Sequence, residues 1–406
     1  MNEWRKVKLG EVINILNGYS FKKEDFSEYG IPVIKIKNIK SLIVDTEDVQ
    51  FVNENFYEAK KKYRVNYKDI LLSMTGSHIS QINSVVGRVA RMKKIGKYLL
   101  NQRVAKLVSK DKKILNEDFL YYFLSQEEIT YQLALSAGGS ANQANIGNNN
   151  IYELIINLPS IFLQEKIAKI LSDIDEKIEL NNKINNNLEI LIFLIYQKIF
   201  LNNNFSQRKL CKMEEYFNIS IGKTPPRKNK ECFSNNSNDN IWVSILDMKS
   251  SGIYIDKSSE YLTSEAIKKY NVKVIPKNTL LLSFKLTIGR IAITCQDRTT
   301  TNEAIAHFLS DKKGATEYLY CYLKNFNFNT LGSTSSIATA INSKIIKEIT
   351  FVIPEEDELN EFYNLVNPLF KKIRVFQLEN IKLTNLKNYL LPKLMNGEID
   401  IEKIEL

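Results

Sequence analysis

The spacing of apolar side chains changes three times along the chain, and each change marks a boundary. Through residues 1–159 short runs rich in Ile, Val and Tyr, such as Ile31-Pro32-Val33-Ile34-Lys35-Ile36-Lys37, alternate with turn residues. This pattern predicts short strands with a few short helices. After Ile155-Ile156-Asn157-Leu158-Pro159 the period becomes about 3.5, with Ile167, Leu171, Ile174, Ile178, Asn181, Asn185, Leu188, Ile192, Ile195 and Ile199 four and three apart. Strand-like alternation returns over 205–354 and ends at Thr350-Phe351-Val352-Ile353-Pro354. Over 355–406 a second seam follows: Leu359, Phe362, Val366, Leu369, Ile373, Phe376, Asn380, Leu383, Lys387 and Leu390. The expected organisation is therefore a first globular domain (1–159), a central spacer helix (160–204), a second globular domain (205–354), and a distal spacer helix with a C-terminal tail (355–406).

Seams sustained over several heptads predict coiled-coil pairing, with Ile167, Ile174, Asn181, Leu188 and Ile195 facing Leu359, Val366, Ile373 and Asn380. Inward asparagines suit the use of a buried amide to set register at some cost in stability. Antiparallel pairing lets the chain run out, build its second domain and return. From Gln164 to Phe200 such a helix is on the order of 55 Å long. Pro368 predicts a kink or a late helix start, because proline removes one backbone bond and crowds the preceding turn. The alternative is ordinary bundle helices packed on the domains.

The two globular segments repeat one another in order. Asn17-Gly18-Tyr19-Ser20 is answered by Ile221-Gly222-Lys223-Thr224, Lys68-Asp69-Ile70-Leu71-Leu72-Ser73 by Lys277-Asn278-Thr279-Leu280-Leu281-Leu282-Ser283, and Gly87-Arg88-Val89-Ala90 by Gly289-Arg290-Ile291-Ala292. Asn101-Gln102 corresponds to Asn302-Glu303, the run Phe119–Leu124 to Tyr318–Leu323, and Gly139-Ser140 to Gly332-Ser333. Matches in register along both segments indicate a duplicated α+β architecture: two repeated globular domains separated by two long antiparallel helices.

Composition narrows the chemistry. The 406 residues carry 56 Lys plus Arg against 46 Asp plus Glu, a surplus of +10 that favours a polyanionic partner. Four cysteines without a C-x-x-C pair and two histidines, His78 and His307, argue against zinc and histidine-based hydrolysis. The thiols fit reduced core residues of a cytoplasmic protein. No signal peptide or bilayer-spanning stretch is apparent, so no membrane association is expected. Gly222-Lys223-Thr224 lacks the glycine of a phosphate-binding loop, since Phe217 stands five positions earlier. No glycine-rich turn for a dinucleotide or methyl donor follows a strand, and Thr224-Pro225-Pro226-Arg227 lacks the flanking residues of an amino-methyltransferase motif. Glu127, Glu128, Glu165, Asp173 and Asp175 read as solvated helix faces. No catalytic residue and no metal ligand is expected.

What remains is a set of cations at matching places. The first half offers Lys22, Lys23, Lys35, Lys37 with Asn38, Lys60 to Lys62, Arg64, Arg88, Arg91, Lys93, Lys94 and Arg103. The second offers Lys223, Arg227, Lys228, Lys230, Lys249, Lys285, Arg290 and Arg298. The DNA-contact candidates are Lys22, Lys23, Lys37, Asn38, Arg88, Arg91, Arg103, Lys223, Arg227, Lys228, Lys285, Arg290 and Arg298. Arginine can clamp guanine, and asparagine adenine. A protein-binding coiled-coil scaffold, and a standalone DNA-modifying enzyme with unfamiliar catalytic residues, remain alternatives at this level.

The opening Trp4-Arg5-Lys6-Val7-Lys8-Leu9-Gly10-Glu11, the Leu-Pro exit followed by Gln164-Glu165-Lys166-Ile167-Ala168-Lys169-Ile170-Leu171, and the tail Leu390-Leu391-Pro392-Lys393-Leu394-Met395-Asn396-Gly397-Glu398-Ile399 resemble the specificity subunit of type I restriction-modification systems. The resemblance covers nearly the whole chain. It implies two target-recognition domains, each reading half of a split, asymmetric target in double-stranded DNA, with paired helices setting the unread gap. It also implies a chain that is non-catalytic by itself and carries no cofactor. Two methyltransferase subunits would supply S-adenosylmethionine and adenine methylation, and a restriction subunit with ATP and Mg would translocate and cleave. The second half departs from the pattern at Pro354-Glu355-Glu356-Asp357-Glu358 and at Pro368.

Overall fold

The computed structural model describes residues 4–77, 86–140, 143–201, 208–331 and 341–401. His78, Ser140 and the Gly332-Ser333 pair lie outside the residues whose side chains are described. The chain divides into two compact units, 1–177 with 383–406, and 178–382. Both boundaries fall inside long helices, so each unit holds one globular half and a portion of both helices.

Each unit repeats one topology. In the first, a five-stranded sheet runs Ile13–Asn17, Val104–Ser109, Ile70–Ser73, Val89–Arg91, Leu42–Ile43. In the second, the same order is Asn218–Ile221, Ile305–Leu309, Leu280–Ser283, Ile291–Thr294, Tyr254–Ile255. A second sheet also recurs, with Ile31–Ile34 beside Tyr98–Leu100 in one unit and Asn240–Val243 beside Thr299–Thr301 in the other, both pairs parallel. Its fifth strand, Arg64–Val65, is reduced in the second unit to a bridge from Ile275 to Thr299. A two-stranded ribbon closes each half, joining Arg5–Lys8 to Ile155–Leu158 and Leu210–Lys212 to Thr350–Val352. A long helix begins directly after each of these ribbons, so the prolines at 159 and 354 mark the exits from sheet to helix.

The duplication extends to buried polar groups. Lys106 and His307 occupy the same strand position, opposite Leu71 and Leu281. Neither can be left unpartnered in a sheet interior. Lys106 Nζ donates to the Arg64 carbonyl (2.9 Å) and to Asp69 Oδ2 (3.0 Å). His307 lies between the Ser220 hydroxyl (3.0 Å from Nδ1) and the Thr301 hydroxyl (2.7 Å from Nε2). Burial, with a smaller push from Lys273, lowers the His307 pKa to about 3.

The long helices run Ile161–Tyr196 and Glu356–Met395. Within the first unit Ile167, Leu171, Leu391 and Leu394 share one core with Trp4 and the strands. Within the second, Ile192, Tyr196, Leu359, Phe362, Val366, Phe370 and Ile373 do the same. Residue numbers rise along one helix as they fall along the other, from Asp175 opposite Lys387 to Asn181 opposite Asn380, so the pairing is antiparallel. Asn181 is fully buried and donates to Glu379 Oε2 and Asn380 Oδ1, both at 2.8 Å, while Asn380 donates to Asn182 Oδ1 at 2.9 Å.

Two expectations are corrected. Of the two outcomes expected at Pro368, the late start is overturned: the second helix begins at Glu356 and continues through Pro368 to Met395. Proline costs roughly 3 kcal/mol in a helix interior. Pro368 faces solvent, and burying Leu359, Phe362, Val366, Phe370 and Ile373 contributes more than that cost. Asp175 is not a solvated face: it accepts from Lys387 Nζ (2.6 Å) and the Tyr122 hydroxyl (3.0 Å). Glu189 plays a similar part in the second unit, accepting from the Tyr320 hydroxyl at 2.7 Å. A tyrosine hydroxyl thus ties the first long helix to a domain helix in both units.

The helix starts are clamped as well. Gln164, 0% exposed, donates to the Ile114 and Pro159 carbonyls and accepts from the Asn116 N–H. In the second unit Arg208 donates through both terminal nitrogens to Glu358, at 2.6 and 2.8 Å. This ion pair gives Glu358, the last residue of the acidic run after Pro354, a structural role where a glutamine entry is absent. The second helix ends in a left-handed Gly397 (φ 72°) stacked against Trp4, so the opening and closing segments of the chain pack together in one unit.

Lys387→Met is expected to destabilise the protein by about 3 kcal/mol in urea unfolding, because it strands Asp175 in a half-buried site; a change below about 0.5 kcal/mol would show the pair to be idle. His307 makes stability pH-dependent. Its folded pKa lies below its unfolded value, so stability is full above about pH 6.5 and falls as pH drops toward about 3. From pH 8 to pH 5 the loss is about 2 kcal/mol, and His307→Gln should flatten that part of the thermal-melting profile. An equally steep profile in the variant would place the dependence elsewhere.

Candidate nucleic-acid interface

In each half one glycine lets two backbone segments meet. A Cβ on Gly18 would collide with the carbonyls of Leu100 and Asn101, and one on Gly222 with Thr301 and Asn302. Around these contacts the hydrogen bonds match pair by pair. Tyr19 N–H reaches the Leu100 carbonyl (2.8 Å) as Lys223 N–H reaches that of Thr301 (2.9 Å). Gly18 bonds Val104 as Gly222 bonds Ile305, both at 3.1 Å. The following loop is pinned alike: Arg88 N–H donates to Ser73 Oγ (3.1 Å), and Arg290 N–H to Ser283 Oγ (3.0 Å). Gly87 and Gly289 supply the left-handed turn before each arginine, at φ 77° and 85°.

On this shared backbone the two halves display different side chains. In the first, Gly18, Tyr19, Tyr63, Met74, Gln102 and Asn148 line an open cleft of about 700 Å³. Lys60 lies over the Tyr19 ring at 4.2 Å. Tyr19 and Tyr63, centroids 5.4 Å apart, place aromatic surface beside cations. In the second half Glu303 stands where Gln102 does. Burial works against its charge, but the Thr224 hydroxyl and the Lys285 and Arg227 cations hold its carboxyl below the usual range. Thr224 and Glu303 are thus in direct contact, with the charges of Lys285 and Arg227 acting on the carboxylate. Arg227 stacks over Phe233 and Trp242 and pairs with Glu260 at 2.9 Å.

The structure separates the candidate contacts. Lys22, Lys23, Lys37, Arg103, Lys223, Arg227, Lys228 and Lys285 are exposed. Lys37 pairs with Asp48 at 2.7 Å, leaving both groups in water. Two candidates, Arg91 and Asn38, have interior roles instead, and two more, Arg290 and Arg298, are half-buried. Arg91, 6% exposed, pairs with Asp118 (2.8 Å) and stacks on Tyr121. Asn38, 1% exposed, spends its amide on the Asp45 and Asp48 carbonyls and accepts from Lys35 N–H. Arg290 donates to the Ile245 carbonyl at 2.6 Å, and Arg298 to that of Asp239. Arg91 and Asn38 are thereby held inside the fold, whereas Arg290 and Arg298 each give one guanidinium nitrogen to a backbone carbonyl. Arg88 is half-buried. Gln102, Glu303, Thr224 and the Tyr19–Tyr63 pair were not singled out as contacts, although the matched Asn101-Gln102 and Asn302-Glu303 positions carried the signal.

Residues 1–190 and 208–388 match the family model described as the type I restriction modification DNA specificity domain. The chain is 22% identical to the type I restriction enzyme HindI specificity subunit of Haemophilus influenzae, over 98% of this chain and 100% of that protein. It is also 22% identical to the putative type I restriction enzyme MjaX specificity subunit of Methanocaldococcus jannaschii, over 98% and 94%. Its fold is similar to the crystal structure of a type I restriction-modification S subunit from M. genitalium, with a TM-score of 0.57 at 17% identity, covering 97% and 96% of the two chains. Two copies of one DNA specificity domain, each built on the same sheet pair and followed by a long helix, place this chain in the family of type I restriction-modification specificity subunits.

Proposed function

We propose that the two halves of this chain read different half-sites of one split, asymmetric sequence in double-stranded DNA. The observation that carries this reading is the matched pair of loop clusters around Gly18 and Gly222, alike in the backbone bonds of Gly18 and Tyr19 with Gly222 and Lys223 and different in exposed side chains. A shared frame supplies phosphate contacts in both halves, and a change of side chains on it supplies different base preferences. In the first half the set is Lys22, Lys23, Lys37 and Arg103 around Tyr19 and Gln102. In the second it is Lys223, Arg227, Lys228 and Lys285 around Thr224 and Glu303.

The chain acts in this reading without catalysing a step itself. Two methyltransferase subunits bind S-adenosylmethionine, flip the target adenine and methylate it. A restriction subunit uses ATP and Mg to translocate and cleave. The complex works in the cytoplasm; among the described residues no helix is long and apolar enough to cross a membrane. The paired helices set the unread gap between half-sites.

Co-expression with methyltransferase subunits, followed by sequencing of methylated adenines, should reveal a motif of two short half-sites around a fixed gap. Exchanging residues 205–354 for those of another family member should replace one half-site only; a continuous motif, or both half-sites changing together, would refute the division. Removing one heptad from both helices keeps the seams in phase and shortens each by about 10 Å, which should change the gap and leave both half-sites unaltered. Lys223→Ala should weaken binding to all sequences alike and reduce the slope of log affinity against log salt by roughly 0.9. A wild-type slope near zero would instead favour a protein-binding scaffold.

A further inference from the structure

Leu286 is 99% exposed, at the tip of the loop that joins strands Leu280–Ser283 and Ile291–Thr294. Its backbone is left-handed, with φ 61°. The Thr287 N–H closes onto the Lys285 carbonyl at 2.6 Å, so Leu286 is the central residue of a three-residue turn. Such turns with positive φ are rare and strained for a side chain larger than hydrogen. Glycine or asparagine would sit there at lower cost, and water would solvate them better.

The loop beneath is tightly held. Ser283 Oγ donates to the Thr287 carbonyl (2.6 Å) and accepts from the Arg290 N–H (3.0 Å), while Gly289 N–H reaches the Ser283 carbonyl at 3.0 Å. Phe328 packs beneath Gly289, where a Cβ would come within 3.0 Å of the ring. A strained, fully solvated leucine is thus presented by a rigid support. Its sequence neighbour Lys285 is exposed as well, so one turn presents a cation and an aliphatic tip side by side. In the major groove a cation suits guanine, a carboxylate the cytosine amino group, and a protruding aliphatic group the thymine methyl.

We propose that Leu286 is a specificity-determining residue of the second half, packing its side chain on the C5-methyl group of a thymine in the major groove of the half-site that this half reads. The inference rests on the reading of residues 205–354 as a DNA reader. Burying the leucine against the methyl group removes apolar surface from both, and a cytosine at that position offers no methyl to cover. The contact adds preference at one base pair and contributes nothing to phosphate binding.

The test uses the full chain assembled with its methyltransferase subunits. Leu286→Gly removes the side chain while relieving the backbone, so the loop is retained; Leu286→Met keeps an aliphatic tip. In the methylated-adenine motif, Leu286→Gly should relax one T:A position of the second half-site, with preference falling on the order of tenfold. The first half-site, subunit assembly on size-exclusion chromatography and the salt slope should be unchanged. Leu286→Met should keep the preference at that position. An unaltered motif in Leu286→Gly, or an equal loss at every position, or loss of assembly, overturns the proposal. If exchange of residues 205–354 also leaves both half-sites unchanged, the DNA-reading assignment itself falls; if the exchange succeeds and Leu286→Gly is silent, only the role of Leu286 does.

Discussion

The structure depends on the register between its two long helices. Leucine and isoleucine seams attract two helices but tolerate slippage by a heptad, because one apolar layer resembles the next. Asn181 against Glu379 and Asn380, and Asp175 against Lys387, do not tolerate it. A shift of one layer would leave buried amides and charges facing hydrocarbon, at a cost of several kcal/mol. Tyr122 and Tyr320 then carry that register into the domains, since each donates to a carboxylate on the first helix, Asp175 or Glu189. Within each unit a domain helix is thereby tied to the first long helix.

The domains resolve a second tension, between a conserved frame and a changeable surface. Equivalent backbone bonds at Gly18 and Gly222, and at Ser73 and Ser283, hold the reading loops in the same form in both halves. The groups inside can differ as long as each is satisfied, as Lys106 with Asp69 and His307 with Ser220 and Thr301 illustrate. The groups outside differ freely, Gln102 standing where Glu303 does. A recognition protein benefits from this separation. Stability resides in strands and helices, while the loop side chains carry little of it and can vary with the target.

The two helix entries show the same principle at a joint. Gln164 satisfies three backbone groups of the first unit, whereas Arg208 and Glu358 form an ion pair near the corresponding place in the second. Different chemistry fixes a helix start in each case. The departure from a glutamine entry after Pro354 is therefore a change of clamp.

Periodicity and spacing are properties of a one-dimensional string, and what rests on them was legible in this sequence. The heptad seams, the duplication and the exits at Pro159 and Pro354 all follow from residue order, and nearly every seam position from Ile167 to Ile199 is buried or half-buried. Tertiary structure decided which polar groups the fold consumes. Arg91 and Asn38 look in sequence like the cations and amides that reach solvent, yet Asp118 and the Asp45 and Asp48 carbonyls claim them. Asp175 looks solvated until Lys387, 212 residues away, is brought beside it. Pro368 looks disruptive until the burial around it is known. A charge or a proline has its energy set by partners that only the folded chain assembles, and local sequence carries no record of those partners.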